Sequence, residues 1–457
     1  MMKKLLILLC LCVTAALFGN VPKYVFLFIG DGMSIPQRMM TDEFLRKTSG
    51  HGLLINQLPV QAVTTTASAT SFITDSAAAA TAIACGEKTA NGRIGMDTTG
   101  KRKLESVAEV AEKSGKKVGI ITTVTINHAT PAGFYAKNVS RGNYYQIALD
   151  LVDSGFDFFC GGVAHNNRTN DPEYRGDIYA LAQKNGFNVV RDKETFAKLD
   201  SGSGKTLVAL TSGSTPYTVD AQNDGLRLAD FVGKAIEVLD NEKGFFIMAE
   251  GGKIDWMCHS NDAGTALHEV IEFDQAVQVA YDFARKHPEE TLIVVTGDHE
   301  TGGLTLGFGG TGYCSYIELL GKQKVSSGRF HELLQKAGKE GGMTFEKAKS
   351  LITDNFGLSF ADVRSRKTRG TLLLSESEKD GLRKAYDRQF KNGVMQKNSA
   401  LTQAVVKCFN NKASLAWTSG AHTALPVLTT SCGVKSELFA NQLDNTDIAK
   451  KLKEILR

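Results

Sequence analysis

Proline is scarce, with 8 in 457 residues, and no Pro- or Ser-rich linker, low-complexity stretch or internal repeat interrupts the chain. Disordered and solenoid architectures are therefore excluded. No CxxC pair occurs among the eight cysteines. That rules out a zinc finger and a dense disulfide framework. Cys85, Cys160, Cys258, Cys314, Cys408 and Cys432 lie far apart, and one or two disulfides remain open. There is no basic stripe with interleaved aromatics, and the net charge is only +4. Nucleic-acid binding has no support. No apolar run reaches the ~20 residues of a membrane span.

What the chain does have is 45 glycines, 42% hydrophobic and 22% charged residues. This is globular material with many tight strand-to-helix turns. Met1-Met2-Lys3-Lys4 followed by the apolar Leu5–Phe18 reads as a secretory leader, with cleavage near Gly19 or Asn20. The expected organisation is a signal peptide over 1–19 and one domain over 20–457. The protein is then exported, periplasmic or secreted, with no span after cleavage. Apolar strand-like runs alternate with amphipathic helices, which predicts an α/β fold: three layers, a central largely parallel sheet flanked by helices. Gly264–His287 reads as a long helix. The stretch from about Tyr313 to Asn411 is richer in Lys, Glu and Ser, and predicts a mostly helical insertion or cap.

Four strand-like runs end on acidic or histidine side chains. Tyr24–Ile29 leads to Asp31, and Phe245–Met248 to Glu250. Thr291–Thr296 leads to Asp298-His299-Glu300, and Val118–Thr123 to a loop with His128 and Thr130. Ligands of open parallel sheets bind outside the carboxyl ends of the strands. Carboxylates converging there repel one another unless a cation neutralises them. Further strands are predicted at Phe156–Phe159, Thr206–Leu210 and Val427–Ser431.

Thr74-Asp75-Ser76-Ala77-Ala78 opens an alanine-rich helix. Asp75 or Ser76 could simply cap it. A serine there also sits where free N–H groups favour an anion, as a phosphoryl-carrying nucleophile would need. Asp255 and His259 are spaced i, i+4, so a helix projects both from one face, as metal chelation requires or as a plain surface pair. Cys258 faces elsewhere and reads as packing. Asp298-His299 is a hard-plus-imidazole pair of the kind zinc accepts. His422 lies in a glycine-bearing loop. Arg141 is either a solvated charge or a bidentate phosphate ligand.

In this order the motifs Ile29-Gly30-Asp31-Gly32-Met33, Thr74–Ala78, His128-Ala129-Thr130-Pro131, Glu250–Asp255, Thr296-Gly297-Asp298-His299 and His422-Thr423 resemble the alkaline phosphatase family of metal-dependent phosphomonoesterases. The resemblance runs from about Val25 to Gly433, and Tyr313–Asn411 matches no pattern of the family. It implies Ser76 as nucleophile and Asp255, His259 and His422 as ligands of a first zinc. Asp31, Asp298 and His299 would hold a second zinc, and Asp31, Thr130 and Glu250 a third ion, usually magnesium. Arg141 would clamp two phosphate oxygens, with Asp75 orienting it. Substrates would be phosphate monoesters and the product inorganic phosphate; a homodimer remains open.

His128 stands where the best-studied bacterial members have an acid, and Trp256 where they have a lysine. His128 could therefore bind the third ion directly, and zinc or cobalt could replace magnesium there. Trp256 could equally be a hydrophobic plug on the metal helix. Thr74–Ala78 is not the Cys/Ser-x-Pro/Ala-x-Arg setting of sulfatases. A phosphodiesterase on the same fold would generally lack the third site. An inactive metal- or phosphate-binding protein would not need the full set.

Overall fold

The structure is a computed structural model that describes residues 21–162, 171–211, 213–221, 225–340, 342–362 and 370–457. The expected leader over 1–19 lies outside the described residues. Ten strands form one sheet: β1 (Tyr24–Gly30), β2 (Val60–Thr65), β3 (Lys117–Thr125), β4 (Phe158–Gly162), β5 (Asn188–Val190), β6 (Thr206–Ala209), β7 (Phe245–Gly251), β8 (Thr291–Gly297), β9 (Val427–Gly433) and β10 (Asn441–Asp444). Their order is β10-β2-β9-β8-β1-β7-β3-β4-β6-β5. Only β9 runs against the others. The fold is α/β, with the sheet flanked by helices as the alternating pattern predicts.

Both faces of the central strands are covered, which explains why they read as unbroken apolar runs. All seven residues of β1 are buried. Val25, Leu27 and Ile29 enter one core, and Tyr24, Phe26 and Phe28 the other. The first core receives α1 (Ser76–Cys85) and the C-terminal helix Asn445–Leu456. The second receives α2 (Lys253–His259) and the long α3 (Ala263–Lys286).

The predicted long helix is α3, displaced by one residue at each end. β4 starts at Phe158 rather than Phe156, because Asp157 turns the chain and accepts from Val118 N at 2.9 Å. The sequence reading missed β2, β5 and β10. Between Tyr313 and Asn411 the described residues hold the helices Ser327–Lys339, Phe345–Phe356 and Glu376–Gln389 and most of Ala400–Lys412. Their apolar faces share a core with Phe44 and Leu267 of the main body. The six cysteines from Cys85 onward are all free. Among the described residues no helix is long and apolar enough to cross a membrane.

Candidate active site

The four strand ends singled out in the sequence belong to four adjacent strands, β8-β1-β7-β3. Register aligns Ile29 with Glu250 and Thr296, and Gly30 with Gly251 and Gly297. Asp31 and Asp298 therefore leave the sheet at one level, and Glu250 lies two residues below. α1 starts across this edge. Asp75 caps it, its Oδ1 accepting from Ala78 N at 3.0 Å. Its Oδ2 accepts from Gly92 N at 3.0 Å and from Arg141 Nη1 at 3.1 Å. Asp75 therefore caps the helix and hydrogen-bonds Arg141 at the same time. Ser76 is 2% exposed, with Oγ 3.2 Å from His299 Nε2.

Among the described residues three groups of side chains that could hold a metal ion converge. Asp255, His259 and His422 form the outermost; Asp31, His299 and again Asp255 the second; Asp31, His128 and Glu250 the third. Asp298 joins the second, its Oδ2 3.3 Å from His299 Nε2, which is also 3.3 Å from Asp31 Oδ1. Thr130 joins the third, its hydroxyl donating to Asp31 Oδ2 at 3.4 Å. Arg141 Nη2 lies 3.5 Å from His128 Nε2. The ring of His128 meets that of Trp256 edge-on, centroids 6.0 Å apart.

The hydrogen bonds fit these groups to cations. His259 Nδ1 lies 2.7 Å from Gly420 O, and His422 Nδ1 2.9 Å from Thr74 O. A carbonyl only accepts, so in the neutral rings both protons sit on Nδ1. The two Nε2 lone pairs then face each other at 3.2 Å, an arrangement a shared cation resolves. Thr301 Oγ1 donates to Asp255 Oδ1 at 2.5 Å and lies 3.2 Å from His299 Nδ1. That aims His299 Nε2 at the same centre. Asp31 Oδ1, Asp298 Oδ2 and Glu250 Oε1 are buried without a hydrogen bond. Imidazole and carboxylate suit zinc in the first two groups. Glu250 and Thr130 bring only oxygen to the third, which suits a harder ion.

Electrostatics agree. Burial, then the charges of Asp298, Asp255 and Glu250, push the Asp31 carboxyl well above its ordinary value. Burial likewise raises Asp298, helped by Asp255 and Glu250. Burial pushes Glu250 up to about 7, against hydrogen bonds from Thr122 and Thr130. Burial also acts to raise Asp255, but its hydrogen bond with His259 and the charges of His299, His259 and His422 win and lower it. Burial and His422 hold His299 well below the usual imidazole value.

Sequence reasoning missed the supporting residues. Thr122 donates to Glu250 Oε2. Glu300 is fully buried and accepts from Gln37 Nε2 at 2.9 Å, Gly303 N at 3.0 Å, Leu304 N at 3.2 Å and Thr423 Oγ1. Lys253 Nζ sits 3.0 Å from Glu269 Oε2 and donates to Pro216 O at 2.5 Å, which anchors the start of α2. The only signal for Glu300 was its place beside Asp298-His299.

An open α/β sheet with a serine at a helix N-terminus and cation-type groups at its carboxyl edge has the parts of a group-transfer enzyme that uses a serine nucleophile. A family model described as alkaline phosphatase matches residues 22–457. Alkaline phosphatase 3 of Bacillus subtilis is 32% identical over 447 residues, 95% of this chain and 89% of its own. The crystal structure of a cold-active alkaline phosphatase from Shewanella sp. is 27% identical with a TM-score of 0.80, covering 95% of this chain and 100% of its own. A variant of the TAB5 alkaline phosphatase with Mg bound shares the fold, at 24% identity and a TM-score of 0.66 over 96% of this chain and 98% of its own. The chain belongs to the alkaline phosphatase family and is a phosphatase acting on phosphate monoesters.

Proposed function

We propose that the enzyme hydrolyses phosphate monoesters through a phosphoserine on Ser76. The carrying observation is Ser76 Oγ 3.2 Å from His299 Nε2, beside the unpaired oxygens of Asp31 and Asp298. Asp255, His259 and His422 would hold one zinc, and Asp31, Asp298 and His299 a second. Asp31, Thr130 and Glu250 would hold a third, magnesium-type ion, with His128 beside it. Bound there, the ions supply Lewis acidity that lowers the pKa of oxygens placed on them. Ser76 Oγ gives up its proton and attacks phosphorus as the ester P–O bond breaks, and the alcohol leaves carrying a proton. Arg141, held by Asp75, and the N–H groups of α1 neutralise the equatorial oxygens. Water then attacks the phosphoserine, releasing inorganic phosphate and restoring Ser76.

The basic-then-apolar leader supports export to the periplasm or beyond, with a mature chain starting near residue 20. We read the helical stretch 313–411 as a cap on the main domain.

Ser76→Ala tests the mechanism. Turnover of a chromogenic phosphate monoester should fall by several orders of magnitude, while zinc content and thermal unfolding stay as in the wild type. Near wild-type turnover would remove Ser76 from the role of nucleophile.

A further inference from the structure

The chain enters α1 through residues 66–75, which form no helix or strand. No ladder of backbone bonds therefore fixes where Ser76 begins. A turn over residues 90–93 faces this segment. Arg93 N donates to Ala90 O at 3.2 Å. Gly92 takes φ 84, the positive angle that a type II turn demands at its third residue and that glycine meets without strain.

The side chain of Asn91, in this turn, grips the approach to the nucleophile at two points. Its Nδ2 donates to Ile73 O at 3.1 Å, and its Oδ1 accepts from Asp75 N at 3.3 Å. These groups belong to the peptides on either side of Thr74. Thr74 O is the carbonyl that meets His422 Nδ1 at 2.9 Å. A carbonyl only accepts and a backbone N–H only donates, so the side chain between them must carry one group of each kind. An amide does, a carboxylate would lack the donor, and alanine would lack both.

The backbone of the same turn reaches the phosphate clamp. Gly92 N donates to Asp75 Oδ2, the oxygen that also accepts from Arg141 Nη1. Gly92 O accepts from Arg141 N at 2.7 Å. One turn thus ties the segment before Ser76 to Arg141. Asn91 is exposed, so water can replace its bonds and their loss costs the fold little. Placement of a reacting group is more sensitive, since about 1 Å of misplacement can cost roughly a hundredfold in rate.

We propose that Asn91 is a positioning residue for the reaction. By holding the peptides on both sides of Thr74 it sets where the chain turns into α1, and with that the direction of Ser76 Oγ. It acts through Ser76 rather than on the substrate. The inference rests on Ser76 as the nucleophile.

The test measures three quantities. In zinc-loaded Asn91→Ala, kcat/KM for 4-nitrophenyl phosphate should fall about tenfold. Its Tm should move by less than about two degrees. The dissociation constant of inorganic phosphate is measured by isothermal titration calorimetry in Ser76→Ala with and without Asn91→Ala. The two values should agree within about twofold, because Arg141 and the ligand groups are untouched. A lowered Tm with kcat/KM in place would make Asn91 a residue that only stabilises the fold, and would overturn the proposal. A loss of phosphate affinity as large as the loss of kcat/KM would overturn it too, since the effect would then lie in binding. The reading beneath it fails separately. Wild-type turnover in Ser76→Ala removes the nucleophile and this role of Asn91 with it. An inactive Ser76→Ala beside an unslowed Asn91→Ala removes only the role of Asn91.

Discussion

An imidazole at position 128 alters what the third ligand group can hold. Magnesium demands six oxygens in near-octahedral array and keeps several waters. A carboxylate at this position would order such waters, whereas His128 offers nitrogen, which zinc and cobalt accept more readily. Trp256, edge-on to His128 at 6.0 Å, fills the space beside it with an apolar ring. His128→Asp combined with Trp256→Lys should shift magnesium activation of zinc-loaded, magnesium-free enzyme to concentrations lower by about tenfold. A magnesium titration of wild type and double variant checks this. Superimposed curves would show that His128 does not set the ion preference.

At the scale of elements, two short strands hold His422 in place. Glu300–Thr301 pairs antiparallel with His422–Thr423, so His422 lies opposite Thr301 and Thr423 opposite Glu300. The Glu300 carboxylate ties three segments together: Gln37 of the helix that follows Asp31, the Gly303-Leu304 backbone, and Thr423 beside His422. Each segment neighbours a ligand. In Glu300→Gln the new amide would set N–H against N–H or O–H donors, so the clamp should loosen. Zinc should leave the variant about ten times faster under a competing chelator, with loss from the outermost group first. Stopped-flow release into a chromophoric chelator measures it, and wild-type release with unchanged thermal unfolding would show that Glu300 only packs.

This element also shows where sequence reading stops. Asp31, Glu250 and Asp298 were legible because each ends a buried apolar run, and a parallel sheet puts such ends at one edge. Asp255 and His259 were legible from helical spacing. Glu300, Thr301 and Thr122 were not, since their partners lie 263, 46 and 128 positions away and no local period marks them. β2 and β10 escaped for another reason. β2 is half-exposed, with Gln61, Val63 and Thr65 facing out and Thr64 buried, and β10 is four residues long, so neither has the continuous apolar run of the centre.

For the whole molecule the buried carboxylate cluster is a liability that bound cations would offset. Without them burial raises Asp31, Asp298 and Glu250, the charge of Asp255 adds to all three, and Glu250 stands at about 7 against an ordinary 4.5. In the unfolded chain all three release their protons near ordinary values. Across this window the folded metal-free protein keeps three carboxyl protons that the unfolded chain has released, against the one that His299 takes up on unfolding below its ordinary 6.5, so its stability falls as pH rises through it. For Glu250 the stabilisation is complete below about 4.5 and gone above about 7. Asp255 is lowered, so its contribution is lost only as pH falls below its ordinary 3.8 and is constant across the same window. Bound ions reverse the trend, because ligands must be deprotonated to hold them and binding to the folded state adds stability. Chelated protein should thus lose several degrees of Tm between pH 5 and about 7.5, while zinc-loaded protein holds or gains, so that the gap between the two widens with pH. Differential scanning calorimetry of both forms in matched buffers measures the gap. Parallel curves would mean that the buried carboxyls are not what the ions stabilise.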